Sequence, residues 1–361
     1  MSISKRIVDD KGRVYPSLRA FVREYDLKRT TVRRCFERNG CYRNDKKGLI
    51  AYFVDDSNVV VPGVDEEYEE WKSLRSSEFS YTKIEPKSHN DGVRYAVALF
   101  SDAHIEETVN SDSVLGLNEY NLDIAESRIK SYFRNLLSCC LRDKVNTLYF
   151  ASLGDTISGF IHSELEQENG LTPSEAVVKA QSIIVSGLKY LSDGGLRIIF
   201  IGIVGNHSRT TKKIQHSNGF KMSYEWIMYQ NIKNICEIIG VSVEFIIPNS
   251  EMAVVDTEDG RRFIFVHGYQ IKSSGTNTVC GIYPALNRLA MKWDRTFHQD
   301  KIYLGHFHSC VSIPTATVNG SIIGFNAYAL SNGFACEEPA QMYEVYDSEV
   351  GLLLTRKIYC K

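Results

Sequence analysis

The sequence predicts an α/β layered fold for most of the chain, on three observations. From Val93 onward, apolar runs of strand length alternate with amphipathic runs of helix length, the pattern of helices packed on sheet faces. Most of those apolar runs end in a short cluster of Asp, His or Asn. The 361 residues, 43% apolar and 24% charged, suffice for one large core and a small accessory unit, which excludes a peptide, a disordered tail or a collagen-like repeat.

Taken in order, RYAVALFSDAH reads as a buried strand entering a loop. A helix is predicted over Leu122–Arg142, followed by the strand VNTLYFASLGD, a helix over 173–191 and the strand LRIIFIGIVGNH. A helix over 220–238, strands at 243–247 and 262–267, and IYLGHFH at 302–308 continue the series. After His308 the chain reads as strands at 310–317, 321–328, 342–346 and 352–359, expected to complete a second sheet.

The ends of the chain differ in charge. There are 42 Lys and Arg against 44 Asp and Glu, a net charge of -2. Residues 1–48 hold 14 basic against 6 acidic side chains, while residues 49–92 hold 4 against 10. Such an asymmetry points to a nucleic-acid-binding end. Within 1–48, Ser17 is placed to cap a short helix that carries Leu18, Phe21, Val22 and Tyr25 on one face. Thr30 or Thr31 is placed to cap a second helix that buries Val32 and Phe36 and stops at Gly40. Arg29, Arg33, Arg34 and Arg38 fall mostly on the outer side of that second helix. Two short helices with a tight turn, the second rich in Arg, resemble a helix-turn-helix DNA reader, so DNA is the expected partner and these four arginines the expected contacts. Readers of this kind often act as dimers, so a homodimer is one candidate assembly, and the sequence does not fix the oligomeric state. The bland alternative is a basic helical hairpin with a packing role only.

The domain plan is therefore 1–48, a small helical domain that resembles a helix-turn-helix; 49–92, an acidic connector whose cluster DEEYEEW at 65–71 reads as a solvated face; and 93–361, the large α/β domain. Nothing approaches the roughly 18 consecutive apolar residues of a membrane span. The start, MSISKRIVDDKGR, lacks the apolar run of a signal peptide, so a cytoplasmic location is expected. The nine cysteines show no CxxC pair and read as free thiols in a reducing compartment.

Collected, the strand ends carry Asp102 and His104, Asp155, Asn206 and His207, His267, and His306 and His308. In an α/β sheet the carboxyl ends of strands form one rim, so residues far apart in sequence converge there. His, Asp and Asn donors suit Mn2+, Zn2+ or Fe rather than thiolate-preferring metals. Singly, a DxH or a GNH arises by chance, and a lone His after a strand is more often a hydrogen-bonded core residue. Five elements in one order, each at a strand end, are not explained that way.

The set resembles the calcineurin-like metallophosphoesterases, whose motifs run DxH, GD, GNH, H and GHxH. The resemblance covers about residues 95–308 and is nearest to the DNA-repair exonucleases of that family. It implies a four-layer sandwich, two β-sheets face to face with helices outside, and two divalent cations, most simply Mn2+, with Zn2+, Fe2+ and Mg2+ as the other candidates. Carried over, Asp102, His104 and His308 would hold one metal, Asn206, His267 and His306 the other, and Asp155 would bridge them. His207 would contact the phosphate and protonate or stabilise the leaving oxygen, with in-line attack by a metal-bridging hydroxide. This sequence departs from the family after GNH: Ser208 and Arg209 stand where an Asp or Glu is usual.

The run GNHSRTTKK adds Arg209, Lys212 and Lys213 beside the expected site as candidate phosphate contacts, and the loop after His267 adds Lys272. His162 reads as structural, and Glu106 and Glu107 as solvated loop charges. The expected activity is hydrolysis of phosphodiesters, by a DNA nuclease of exonuclease type if the basic end addresses DNA. The alternatives are a small-molecule phosphodiesterase or phosphatase with an N-terminal interaction module, and a DNA-binding regulator with a degenerate metal site. A small reader joined to a phosphoesterase is reminiscent of phage and bacterial proteins.

Overall fold

The computed structural model describes residues 6–39, 41–54, 93–161, 165–271 and 282–361. The chain falls into two compact units, divided between residues 87 and 88.

The first unit runs β1 (Arg6–Asp9), β2 (Val14–Tyr15), α1 (Leu18–Glu24), α2 (Arg29–Asn39), β3 (Cys41–Asn44) and β4 (Leu49–Val54). The two expected helices are present. Ser17 caps α1, its hydroxyl accepting from the Ala20 amide at 3.3 Å. Helix α2 begins two to three residues earlier than expected, because the Lys28 carbonyl accepts from Thr31 and Val32; Thr30 and Thr31 lie in the first turn and are not its cap. Beside the helices stands an antiparallel sheet of order β2-β1-β4-β3, which the sequence pattern does not predict. The unit thus mixes helix and sheet, and Phe21, Val22, Val32 and Phe36 share a core with Ile7, Tyr42, Leu49 and Ala51. Strand β4 extends this unit to Val54, into the segment expected to be connector. The acidic cluster at 65–71 and the Gly40 stop lie outside the described residues.

A buried carboxylate closes the unit. Asp9 accepts from the Lys11 and Arg13 amides at 3.0 and 2.8 Å and from the Tyr25 and Tyr15 hydroxyls at 2.5 and 3.1 Å. Burial opposes its charge, yet the Tyr25 hydroxyl and the other donors hold its carboxyl below the usual range.

The second unit alternates as expected through β5 (Arg94–Phe100), α3 (Leu122–Arg142), β6 (Thr147–Ser152), α4 (Leu165–Glu168), α5 (Pro173–Asp193), β7 (Arg197–Gly202), α6 (Tyr224–Ile238) and β8 (Val243–Ile246). The helix starts follow their caps. Asn121 accepts from Ile124, and Thr172 and Glu175 form a capping box with Pro173 at the first turn. Ser223 caps α6, so Phe220 lies in a short 3-10 turn before that helix. There follow β9 (Met252–Asp256), β10 (Arg262–Val266), α7 (Tyr283–Phe297), β11 (Lys301–Leu304), β12 (Val311–Ile313), β13 (Ala316–Val318), α8 (Ala327–Ser331), β14 (Ala340–Asp347) and β15 (Gly351–Tyr359).

A six-stranded sheet has the order β15-β14-β5-β6-β7-β8, and a five-stranded sheet the order β12-β13-β11-β10-β9. Strands β5 to β8 are parallel, as are β10, β11 and β13. The sheets meet face to face through Val97, Leu99, Tyr149 and Ile201 on one side and Val255, Phe263, Phe265 and Tyr303 on the other. Helices α3, α5 and α6 cover the outer face of the first sheet, and α7 that of the second. The unit is therefore a four-layer α/β/β/α sandwich.

Two expectations are corrected. Strands β14 and β15 join the first sheet, not the second: β14 is antiparallel to β5, with Tyr343 opposite Ala98. The segment 321–328 is not a strand. Its Ile322 and Ile323 amides are spent on the Asp102 carbonyl, and Asn326 caps α8.

Candidate metal centre

Five parallel strands of the sandwich deliver ligand-type residues at their carboxyl ends. Strand β5 leads to Asp102 and His104, β6 to Asp155, β7 to Asn206 and His207, β10 to His267, and β11 to His306 and His308. The loops are stitched together by backbone. Asp102 donates to the Gly154 carbonyl at 3.0 Å, His104 to Asp155 at 3.2 Å, and Gly305 to His267 at 2.8 Å. Glycine permits the closest approach: a Cβ on Gly205 would stand 2.0 Å from Asp155 Oδ1, and Gly154, at φ +90, backs directly on Gly205.

Five of these residues hold a left-handed backbone: Asp102 at φ 53, His104 at 46, Asp155 at 52, His306 at 71 and His308 at 51. Non-glycine residues adopt it at a cost, and such strain clusters at functional sites. Here it turns successive side chains inward at once.

Two triads result, Asp102 with His104 and His308, and Asp155 with His267 and His306; within each, one ligand atom per residue lies within 4.8 Å of the others. The triads adjoin, since the His306 amide donates to both oxygens of Asp102 at 3.2 and 3.0 Å. Asn206 joins the second, its Oδ1 standing 3.1 Å from His267 Nε2. Asp155 lies between loops: Oδ2 is 2.9 Å from His267 Nε2 while Oδ1 accepts the His207 amide at 2.9 Å.

The other ring nitrogens are tied back. His267 Nδ1 donates to the Leu153 carbonyl at 2.6 Å. Ser158 donates its hydroxyl proton to Glu107 at 3.0 Å, so it accepts from His104 Nδ1 at 2.8 Å. Both rings thus turn Nε2 toward their clusters, the usual arrangement behind a metal-ligating imidazole. His207 Nδ1 donates to the Ser158 carbonyl at 3.2 Å, and its ring stands edge-on to that of His104, centroids 4.9 Å apart.

The electrostatics test whether cations fit. Asp102 and Asp155 are buried, yet both carboxyls lie below the usual range: burial opposes their charge, and His308 beside Asp102 and His267 beside Asp155 overcome it. Burial would lower His267, but the Asp155 carboxylate wins and lifts it to about 9. His308 is raised in the same way by Asp102. His104 and His306 go the other way, to about 3 and about 4, through burial and then repulsion from His207 and His267 respectively. Left to itself the cluster takes up protons to balance its carboxylates. Four imidazoles, two carboxylates and an amide in contact fit a pair of divalent cations, which would take over that balance.

Among the other candidates, Arg209 is half-buried and donates to the Asn206 carbonyl at 2.6 Å, on a cleft also lined by Ile214, Phe220, Glu251 and Tyr269. Lys212 and Lys213 are exposed. Lys272 and His162 lie outside the described residues. Glu106 and Glu107 are not solvated, as expected from sequence, but 2% and 7% exposed. Glu106 accepts from the Ser158 and Gly159 amides at 2.8 and 2.9 Å, and Glu107 from Ser158 and from Asn326 at 3.0 Å. They support the His104 loop from behind. In the first unit, Arg29, Arg33, Arg34 and Arg38 are all exposed, with Arg33 paired to Glu37 at 2.8 Å.

Sequence reasoning missed Glu225 altogether. It lies on α6, fully buried, against the loops of Asp155 and Asn206. A Glu in the first turn of an amphipathic helix reads only as a favourable charge there.

The fold and site are those of a two-sheet α/β sandwich with a paired His and Asp centre on its strand-end rim. No protein-family profile and no curated protein sequence matches the chain. Solved structures similar to it include Vacuolar Protein Sorting 29 from Cryptosporidium parvum, 15% identical over 71% of this chain and 86% of that one, with a TM-score of 0.31. A calcineurin-like phosphoesterase, YfkN from Bacillus subtilis, is 10% identical over 74% and 91%, with a TM-score of 0.32. An uncharacterized protein of Streptococcus pneumoniae described as a phosphoesterase is 13% identical over 73% and 97%, with a TM-score of 0.27. The functional reading rests on the side-chain geometry.

Among the described residues no helix is long and apolar enough to cross a membrane. The described cysteines are free.

Proposed function

We propose that the second unit is a metal-dependent phosphoesterase that hydrolyses phosphodiesters with two divalent cations, Mn2+ in the first instance, and that its substrate is DNA, addressed by the first unit. The observation that carries the hydrolase reading is the pair of adjoining triads, Asp102, His104 and His308 beside Asp155, His267 and His306. When bound, two such cations clamp a phosphate and lower the pKa of water so that hydroxide is available near neutral pH. The chain's own groups do the rest. Asp155 stands in the second cluster beside His267 and fixes the His207 amide from a strand end. The Ser158 carbonyl accepts the Nδ1 proton of His207 and so orients the ring, leaving Nε2 facing the departing oxygen; the imidazolium form of the ring gives its Nε2 proton to that oxygen and returns to the neutral Nδ1–H form. Arg209, on the cleft beside Asn206, offers a guanidinium to a neighbouring phosphate.

DNA is favoured over a small ester by the first unit, where α2 exposes four arginines on a segment with eight more basic than acidic residues. A tethered basic reader raises the local concentration of a polyanion at the centre. The cytoplasm is the compartment in which such a substrate and a chain of nine cysteines without a CxxC pair are compatible.

A screen with Mn2+ over single-stranded DNA, duplex DNA, RNA and bis(nitrophenyl) phosphate tests this reading. Hydrolysis of DNA is expected. Turnover of the nitrophenyl ester with none of any DNA overturns the nuclease and leaves a small-molecule phosphodiesterase. Replacing Arg29, Arg33, Arg34 and Arg38 together by Ala should weaken DNA binding and flatten its logarithmic salt slope by about 0.9 for each phosphate no longer neutralised, without altering hydrolysis of the nitrophenyl ester.

A further inference from the structure

Two of the loops that build the second cation cluster lie side by side, one carrying Asp155 and one carrying Asn206 and, next to it, His207. The second continues with Ser208 and Arg209, so no carboxylate of its own follows His207. A carboxylate nevertheless stands directly behind both loops. Glu225, in the first turn of α6, is 0% exposed. Its Oε1 accepts the Thr156 amide at 2.6 Å, and its Oε2 accepts the Gly205 amide at 2.7 Å and the Ser208 hydroxyl at 2.8 Å. Thr156 adjoins Asp155, while Gly205 and Ser208 flank Asn206 and His207. One side chain thus holds the neighbours of three site residues from two strand ends.

The arrangement needs an acceptor at both oxygens. Two of the three donors are backbone N–H groups, which cannot reverse their role. A glutamine of the same shape would turn an NH2 group toward either Thr156 or Gly205, two donors face to face, and a buried donor without an acceptor is costly. Glu225 is itself anchored, its amide donating to the cap residue Ser223 at 3.1 Å. The Ser223 hydroxyl lies 2.7 Å from that of Ser208, so helix start and loop form one network. The N-terminal turn of α6 also favours the negative charge.

We propose that Glu225 is a positioning residue that sets the spacing of the Asp155 loop and the Asn206–His207 loop, and through it the affinity of the second cation cluster. The proposal rests on the two-cation reading above. It acts from the far side of the loops, where no substrate or cation reaches.

The test is a calorimetric Mn2+ titration of the full-length wild type, Glu225→Gln and a control, Glu344→Gln. Glu344 is also a buried carboxylate with several donors, among them Lys301 at 2.7 Å and Thr317 at 2.7 Å, but it touches neither loop. Two Mn2+ per chain are expected for the wild type. Glu225→Gln should keep one and bind the second about 10- to 100-fold more weakly, the usual range when the support behind a ligand is lost. Glu344→Gln should lower the melting temperature and keep both. If Glu225→Gln binds both as tightly as wild type, or if Glu344→Gln loses the second equally at the same loss of stability, the positioning role is overturned. Should Glu225→Gln fail to fold, Ser208→Ala removes one donor and spares both amide bonds; a loss of about threefold at the second cation is expected, and wild-type affinity overturns the proposal. A wild type that binds no divalent cation removes the two-cation reading itself, and this proposal with it.

Discussion

Replacing Gly205 by Ala should empty one half of the metal centre while leaving the fold standing. The added Cβ would lie 2.0 Å from Asp155 Oδ1, 2.4 Å from its amide nitrogen and 2.7 Å from its Cγ. Ordinary contact begins near 3.4 Å, so the Asp155 carboxylate must retreat by about 1.4 Å. It cannot do so by a rotamer change alone, because the backbone nitrogen is crowded too. Ligand distances tolerate only about 0.2 Å, so a retreat of that size removes Asp155 from the second triad. The overpacking costs about 1–3 kcal/mol. A Mn2+ titration with a parallel thermal melt reads both effects. The expectation is one tightly bound Mn2+ in place of two, with a melting temperature lower by several degrees. Gly195→Ala is the matched control: its φ is +87, but nothing lies within 4 Å of the new Cβ. It should cost about 1–2 kcal/mol for the left-handed backbone and keep both cations. Two Mn2+ at wild-type affinity in Gly205→Ala would refute the assignment of Asp155 to the centre.

His207 belongs to neither triad, so His207→Asn should leave Mn2+ binding unchanged and lower kcat on a phosphodiester by about 10²- to 10⁴-fold, as steady-state kinetics with a parallel titration would show. Cation affinity should also depend on pH in a defined sense. His267, lifted to about 9, keeps its proton below that pH, and the cation must displace it. Affinity is therefore lost as pH falls and should rise by up to about tenfold per pH unit toward 9. Titrations at about pH 6.5, 7.5 and 8.5 in buffers of different ionisation heat would detect the released proton, and a flat profile would show that His267 is not a ligand.

Much of the centre was legible because its signals are local. A strand that ends in SDAH or VGNH announces ligand types within a few residues of an apolar run, and parallel strands bring those ends to one rim. Helices with strong caps, such as those begun by Asn121 and Thr172, were equally plain. What could not be read depends on pairings distant in sequence. Whether β14 and β15 join the first or the second sheet is decided by the pairing of Tyr343 with Ala98, across some 245 residues. Strand β9 and helix α7 went unassigned, and the sheet of the first unit is made of strands of two to six residues, too short to show an alternation. Glu106 and Glu107 read as solvated and Glu225 carries no sequence signal, yet all three are buried, and the donors folded against them make that burial tolerable.

The left-handed backbone at Asp102, His104, Asp155, His306 and His308 has a consequence for how this protein trades stability against function. At each of these positions glycine would relax the chain, whereas alanine removes the ligand and keeps the strain. The centre is therefore a place where a loss of function can raise the melting temperature, and selection for robustness alone would erode it first. Of the remaining side chains, Asn and Asp tolerate that backbone best, so the amino acids able to replace a ligand here are limited by the main chain before coordination chemistry is consulted.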